Sequence, residues 1–330
     1  MKFMLDVNIK EPSNKINYQD GILIVGSCFT EHIGGRLLDY KFRVLQNPSG
    51  ILFDPLSVCS SLNAYLTNEP LDGSELYYLN ELWHSWDHHS SFSGQNKEDV
   101  VACINETRAV AHKFITRASW IIITLGSSFH YRLKESGKRV ANCHRAPAQL
   151  FTKEMIGISE TTECLQTTIA NLKKVNPAIN ILLTVSPVRH IRDGVVENNR
   201  SKARLIESVH DLVENNSNLH YFPAYEIMVD VLRDYRFYDI DLVHPNYAGT
   251  EYVFEQFRDH FIDPASVAVM EKIKQVTTGC KHRPFQPNTM AHRAFLSNTM
   301  SKLKEISATN PDIDFNDEDA YLKRALEDFS

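Results

Sequence analysis

An open parallel α/β sheet is the fold class that this chain predicts, and three observations carry it. Short apolar runs bounded by glycine or turn residues recur five times, at Ile22–Val25, Phe42–Leu45, Trp120–Leu125, Ile179–Val185 and Leu219–Phe222. Patterns with helical spacing separate them. Only one long stretch, at 70–97, interrupts the alternation. Runs this short and this rich in β-branched residues read as buried strands. Strands alternating with helices imply parallel pairing through right-handed crossovers.

Residues 1–20 are polar and turn-rich and are expected to form a surface arm. The first strand ends in Gly26-Ser27-Cys28, and a helix follows with Thr30 as its cap and Ile33, Leu37 and Leu38 on one face. The second strand ends in Gln46-Asn47-Pro48-Ser49-Gly50, whose Asn-Pro and Ser-Gly steps mark a tight turn. Residues 55–66 read as a helix. The stretch 70–97 places Trp83, His84, Trp86, Asp87, His88 and His89 within seven positions and is expected to be an insertion or lid.

Val100, Ile104, Thr107, Ala111, Phe114 and Ile115 then fit a helical stripe leading to the third strand, which ends at Gly126. A hairpin turn is expected at 135–138, before Val140–His144. Helices follow near 161–174, with Leu165, Ile169 and Leu172 inward, and around Leu205, Ile206, Val209, Leu212 and Val213. The fourth strand between them ends in Ser186-Pro187-Val188-Arg189-His190. Tyr252, Phe254 and Phe257 belong to a further helix. The last sixty residues add two or three more, with a loop at Pro284 and Pro287. The expected division is an α/β domain at 1–262, with the lid at 70–97, and a helical extension packed on it at 263–330.

Composition narrows the function. The 330 residues carry a net charge of −6 and no long basic run, which argues against nucleic acid as a partner. Six scattered cysteines without CxxC spacing read as free thiols in a reducing compartment. No signal peptide is evident at the start, and no apolar run reaches the length of a membrane span, so a cytoplasmic location away from membranes is expected. The acidic positions Asp312, Asp314, Asp317, Glu318 and Asp319 read as a solvated face.

Two stretches carry chemistry. Ser27 ends the first strand, where ligands bind in open α/β sheets, beside the amides of a helix N-terminus. Asp241 and His244 lie three apart on a turn entering a helix, so the carboxylate can orient the imidazole. A base of that kind activates a hydroxyl that is otherwise a poor nucleophile. Cys28, one position along, is intrinsically the better nucleophile, but adjacent side chains diverge. His84, Asp87, His88 and His89 are expected to form a lid or an aromatic surface cluster rather than a zinc site, so no metal and no cofactor is expected. Trp86, His88 and His89 in the lid are candidate substrate contacts. Arg189 and His190, at the end of the fourth strand, either grip the polar end of a substrate or, for Arg189, pair a core carboxylate. Arg233, Asp234 and Arg236 are expected to brace the Asp241–His244 loop.

Six blocks in order, GSCF with Gly35, NPSGILFDP (47–55), TLGSSFHYR (124–132), VANCHRAP (140–147), TVSPVRHIRDG (184–194) and RDYRFYDIDLVHP (233–245), resemble the GSCFA family over roughly residues 20–260. That family is placed among the SGNH/GDSL-like hydrolases. The resemblance implies a flavodoxin-like three-layer α/β/α sandwich and a serine esterase or acyltransferase mechanism. By it, Ser27 is the nucleophile, His244 the base and then acid, and Asp241 its orienter. It also implies an oxyanion hole from the amides of Ser27 and Gly50 and a third donor. Ser128 stands where the pattern has asparagine, so Ser128 or Asn142 supplies that donor; loss of one such donor costs ~3 kcal/mol in serine hydrolases. The expected substrate is a small acyl ester, with an O-acylated carbohydrate suggested by the lid tryptophans. The alternative is a non-catalytic binding module that keeps the fold.

Overall fold

The computed structural model describes residues 4–327. Five strands form one parallel sheet: β1 (Gly21–Gly26), β2 (Arg43–Gln46), β3 (Trp120–Leu125), β4 (Asn180–Val185) and β5 (Leu219–Phe222). Their spatial order is β5-β4-β3-β1-β2. Ile22 lies opposite Val44 on one side and Trp120 on the other, and Ile121 opposite Ile181. This is the 2-1-3-4-5 order of flavodoxin-like folds, whose direction of winding reverses between β1 and β3. In such folds ligands bind outside the carboxyl ends of those two strands.

The period of two along each strand sorts the core into two layers. Leu23, Val25, Ile121, Ile123, Leu125, Ile181, Leu183 and Val185 face helices α2 (Pro55–Thr67), α3 (Lys97–Ile115), α4 (Ile158–Val175) and α5 (Val195–Glu214). Ile22, Ile24, Trp120, Ile122, Leu182 and Phe222 face α1 (Phe29–Asp39) and α6 (Tyr247–Phe261), together with a buried π-helical turn at Ile227–Leu232. Each such side chain contributes about 1.5–3 kcal/mol on burial, which leaves little freedom in strand register.

Three further helices, α7 (Pro264–Lys281), α8 (Met290–Thr309) and α9 (Asn316–Glu327), enclose a core of their own around Ile273, Val276, Leu296, Leu303, Ile306 and Leu322. Met270 and Val267 join them to the main domain. Lys41, just past α1, pairs with Glu318 at 2.8 Å, so the acidic C-terminal stretch is tethered at that point rather than wholly solvated.

The N-terminal arm also departs from expectation. Ile9 and Ile16 are buried, and Ile16 bridges Ile262 as a parallel strand partner. Two isoleucines in a polar segment suffice to dock it. The hairpin expected near 135–138 is present and belongs to a small sheet of residues 129–133, 139–140 and 151–155. No described helix is long and apolar enough to cross a membrane.

The turn that ends β1 depends on Gly26, at φ +138°, where an added Cβ would lie 2.1 Å from the Thr124 carbonyl oxygen. Gly26→Ala should therefore lower the unfolding free energy by about 3 kcal/mol or more. Gly35→Ala, on the open side of α1 with nothing within 4 Å of an added Cβ, should be neutral or stabilise by up to ~1 kcal/mol. Urea unfolding midpoints of the two variants test the contrast, and equal midpoints would contradict it.

Candidate active site

At the end of β1 the sharp turn separates two neighbouring side chains. The Ser27 amide donates to the Thr124 carbonyl at 3.0 Å, continuing the sheet by one rung. The Ser27 side chain turns inward against Gly126, is wholly buried, and leaves its hydroxyl without a hydrogen-bond partner. Cys28 follows at the N-cap of α1 and is partly exposed. Burial pushes its thiol up, as does Glu31, while Lys202 and the amides of Cys28 and Phe29 pull the other way. Those amides belong to the helix turn that has no intrahelical acceptor.

Thr30 does not cap α1 as expected. Its hydroxyl donates back to the Ser27 carbonyl at 2.7 Å. Asn47, at the end of β2, braces the same turn: its side-chain oxygen accepts from the Gly26 amide at 3.1 Å, and its nitrogen donates to Thr30 Oγ1 at 2.7 Å.

The expected Asp–His pair lies in the loop before α6, and among the described residues no hydrogen bond joins His244 to Ser27 or Cys28. His244 Nδ1 lies 2.6 Å from Asp241 Oδ2, and Asp241 Oδ1 accepts from the amides of Val243 and His244. The ring and then these amides pull the Asp241 carboxyl down to about 2, so it stays ionised at any working pH. With Nδ1 donating to the carboxylate, Nε2 is left as the proton acceptor. The pairing is local: Leu242 sits at φ +58°, and the Asp239 amide donates to the His244 carbonyl to close the loop. Asp234 pairs with Arg236 nearby. The charge of His244 reaches both His32, one turn after Cys28 on α1, and His190, after β4.

The expected oxyanion donors are placed differently. The Ser27 amide is committed to Thr124, and the Gly50 amide donates to the Asn47 carbonyl at 2.7 Å. Gly50 is also covered, since an added Cβ would lie 2.1 Å from His89 Cβ. Ser128 is wholly buried, with its amide on Ser201 Oγ at 2.7 Å and its hydroxyl unpartnered. The Asn142 side-chain oxygen accepts from the His144 amide at 2.9 Å. The amides of Cys28 and Phe29 are thus the donors best placed beside the thiol.

The stretch at 70–97, expected to be an insertion or lid, is a folded unit rather than a set of free side chains. Trp86 stacks on Tyr77 with ring centroids 3.6 Å apart and meets the edge of Phe151. His88 bonds Ser85 Oγ, and His144 reaches in from the 141–147 loop to the Ser85 carbonyl and Ser90. Trp86 and His88 are therefore absorbed by the lid's own packing, while His89 seals Gly50. Among the described residues Arg189 pairs no carboxylate; it stacks on Tyr238 and Tyr235, 4.6 and 5.4 Å from the ring centres. His190 lies edge-on to Phe53, and its Nε2 has no partner. Burial, with the charges of Lys202 and His244, pushes it down to about 3. No group of three or more His, Cys, Asp or Glu among the described residues is arranged to hold a metal ion.

Sequence reasoning missed the first turns of α5. Asn198, Ser201 and Lys202 are buried there, and each bonds a loop after β3 or β4. Asn198 accepts from the His190 amide at 2.8 Å, Ser201 from Ser128, and Lys202 Nζ donates at 2.6 Å to the carbonyls of both Gly126 and Ser186. A signal existed, because Lys202 falls in phase with the apolar stripe Leu205, Val209 and Leu212.

The sheet order defines a flavodoxin-like α/β protein whose Asp–His loop lies before α6. The chain belongs to the GSCFA family: residues 21–257 match the model of that family, and residues 273–328 match that of the GSCFA domain protein, C-terminal domain. No curated protein matches it. Among solved structures it is similar to an acetyl xylan esterase (Est2A) from the rumen bacterium Butyrivibrio proteoclasticus, at 11% identity and a TM-score of 0.38. That match covers 75% of this chain and 66% of the other.

Burial pushes His88 and His144 down to about 4 and lowers His32, His130 and His220 as well. These rings are neutral in the folded chain, whereas the unfolded chain protonates them near ~6.5. Stability present above that pH is thus lost progressively as the pH falls toward 4. The melting temperature should drop between about pH 7 and 4.5, and His144→Gln should flatten the slope by its share. An unchanged slope would contradict the buried neutral ring.

Proposed function

We propose that the chain is an ester hydrolase or acyltransferase working through a covalent acyl-enzyme, with Cys28 as nucleophile, His244 as base and then acid, and Asp241 as its orienter. The observation that carries this reading is the β1 turn, which buries Ser27 and presents the neighbouring thiol at the start of α1. His244 Nε2 accepts the thiol proton, and the sulfur attacks the ester carbonyl carbon. The amides of Cys28 and Phe29 stabilise the tetrahedral oxyanion. The carbon–oxygen bond then breaks as the imidazolium protonates the leaving alcohol, leaving a thioester. Water or an acceptor hydroxyl, deprotonated by His244, attacks that thioester and restores the thiol.

The substrate class is a small acyl ester. An acylated sugar has lost its motive, because Trp86 stacks on Tyr77 within the lid and Trp83 lies under Lys97. One observation favours Ser27 as a second reading: a buried hydroxyl with no partner costs free energy and is found where function retains it. That reading requires the β1 turn to rearrange.

Hydrolysis of p-nitrophenyl acetate separates the readings. Cys28→Ala, His244→Ala and Asp241→Asn should each lower kcat by about 10³-fold or more, while Ser27→Ala should stay within roughly threefold of the parent. The reverse pattern for Cys28 and Ser27 would favour the serine, and no turnover of any acyl ester by the parent would favour a binding module.

A further inference from the structure

Two of the cysteines, far apart along the chain, meet in the fold away from the proposed site. Cys59 lies in α2 and Cys164 in α4, and both pack into the same core layer. The two helices start beside the loop after β3: the Phe53 carbonyl accepts from the Gly126 amide, and the Ile156 amide donates to the Ser128 carbonyl. They therefore run in the same direction. Polar side chains join them directly, with Asn63 Nδ2 donating to Thr168 Oγ1 at 2.9 Å and Asn171 Nδ2 donating to Asn63 Oδ1 at 3.0 Å. Cys59 lies one helical turn before Asn63, and Cys164 one turn before Thr168. The two thiols are the preceding rung of that ladder, hydrogen-bonded to each other, and Thr168 bonds Cys59 as well.

The two sulfurs are not equivalent. Cys59 is buried, whereas Cys164 is partly exposed. The bond from Cys59 pulls the Cys164 thiol down against the effect of burial. Arg139, whose guanidinium donates to the Leu56 carbonyl at 3.0 Å, acts in the same sense as that bond, while Asp54 and Glu160 oppose it. The same bond, with burial, pushes Cys59 well up. Thiol oxidation follows thiolate character and access, and Cys164 has both. Cys28 belongs to α1, which packs on the opposite face of the sheet, so this pair is separate from the proposed nucleophile.

We propose that Cys59 and Cys164 form a dithiol oxidation site, which hydrogen peroxide closes to a disulfide bridging α2 and α4. The Cys164 sulfur attacks one peroxide oxygen and the O–O bond breaks, giving a sulfenic acid and, with the thiol proton, one water. The Cys59 sulfur then attacks the Cys164 sulfur and loses its proton. The S–O bond breaks and a second water leaves. The two thiols supply the two electrons that the peroxide takes up. The bridge restricts the unfolded chain over the long segment between the two helices and so stabilises the fold.

The test is peptide mapping without reductant. The folded parent protein is treated with a few equivalents of hydrogen peroxide and blocked with N-ethylmaleimide before it is unfolded. The expected product joins the Cys59 and Cys164 peptides, separates with dithiothreitol, and comes from a protein that melts a few degrees higher than its reduced form. In Cys59→Ser a Cys164 sulfenic acid should persist and be captured by dimedone, whereas Cys164→Ser should leave Cys59 a free thiol. Recovery of both thiols unoxidised, under conditions that oxidise exposed Cys103, overturns the proposal. So does a Cys164 oxidised without joining Cys59. Ester hydrolysis enters none of these readouts, so the outcome is independent of the proposed reaction.

Discussion

The close approach of Gly26 to Thr124 governs the rest of the site. Only a residue without Cβ fits at φ +138° against that carbonyl. The chain consequently makes one more sheet hydrogen bond at Ser27 and only then enters α1. That single extra rung decides which of two neighbouring side chains is wholly buried. The buried hydroxyl goes to the core side, against Gly126, and the thiol goes to the start of the helix. Asn47 and Thr30 fix the turn from the β2 side and from α1, so it is held from both flanks.

Around that turn the fold distributes its polar burden unevenly. The carboxyl edge carries buried groups that a plain core would not tolerate: the unpartnered hydroxyls of Ser27 and Ser128, the free Nε2 of His190, and Lys202 among carbonyls. Each costs free energy that the apolar layers on both faces of the sheet must offset. Other buried polar atoms without a partner lie away from this edge, at Tyr77, His130, Thr161, Thr162 and Tyr238. The amino edge of the same sheet carries no comparable set among the described residues. The lid differs in kind, since its histidines and aromatics bond to its own serines and backbone and so build a small polar core.

Much of this was legible in the chain. The strands announced themselves because central parallel strands are buried on both faces, which forces short, continuous aliphatic runs such as Ile121-Ile122-Ile123. The Asp241–His244 pair was legible because its contact is local: three residues of turn suffice to form it. Membership of the GSCFA family rested on blocks that hold these same elements. The rest depended on long-range geometry. Whether Ser27 or Cys28 faces out turns on one backbone dihedral at Gly26. Gly50 was expected to offer its amide, yet the turn it closes consumes that donor. Trp86 was read as a substrate platform because its partner Tyr77, only nine residues away, pairs with it through a hairpin that no periodicity reveals. Lys202 was the missed clue, a charge in phase with Leu205 and Val209 that apolar-stripe reading passes over.

Burial raises the Cys28 thiol, the helix amides oppose that rise, and in the proposed mechanism His244 carries its proton away. The most direct measurement is the site of the covalent intermediate: rapid acid quench during turnover of a slowly deacylating ester, followed by peptide mapping across residues 20–36. The expected result is an acyl group on Cys28, released by neutral hydroxylamine as thioesters are. An acyl group on Ser27 instead, or no adduct on this peptide under conditions of active turnover, would contradict it.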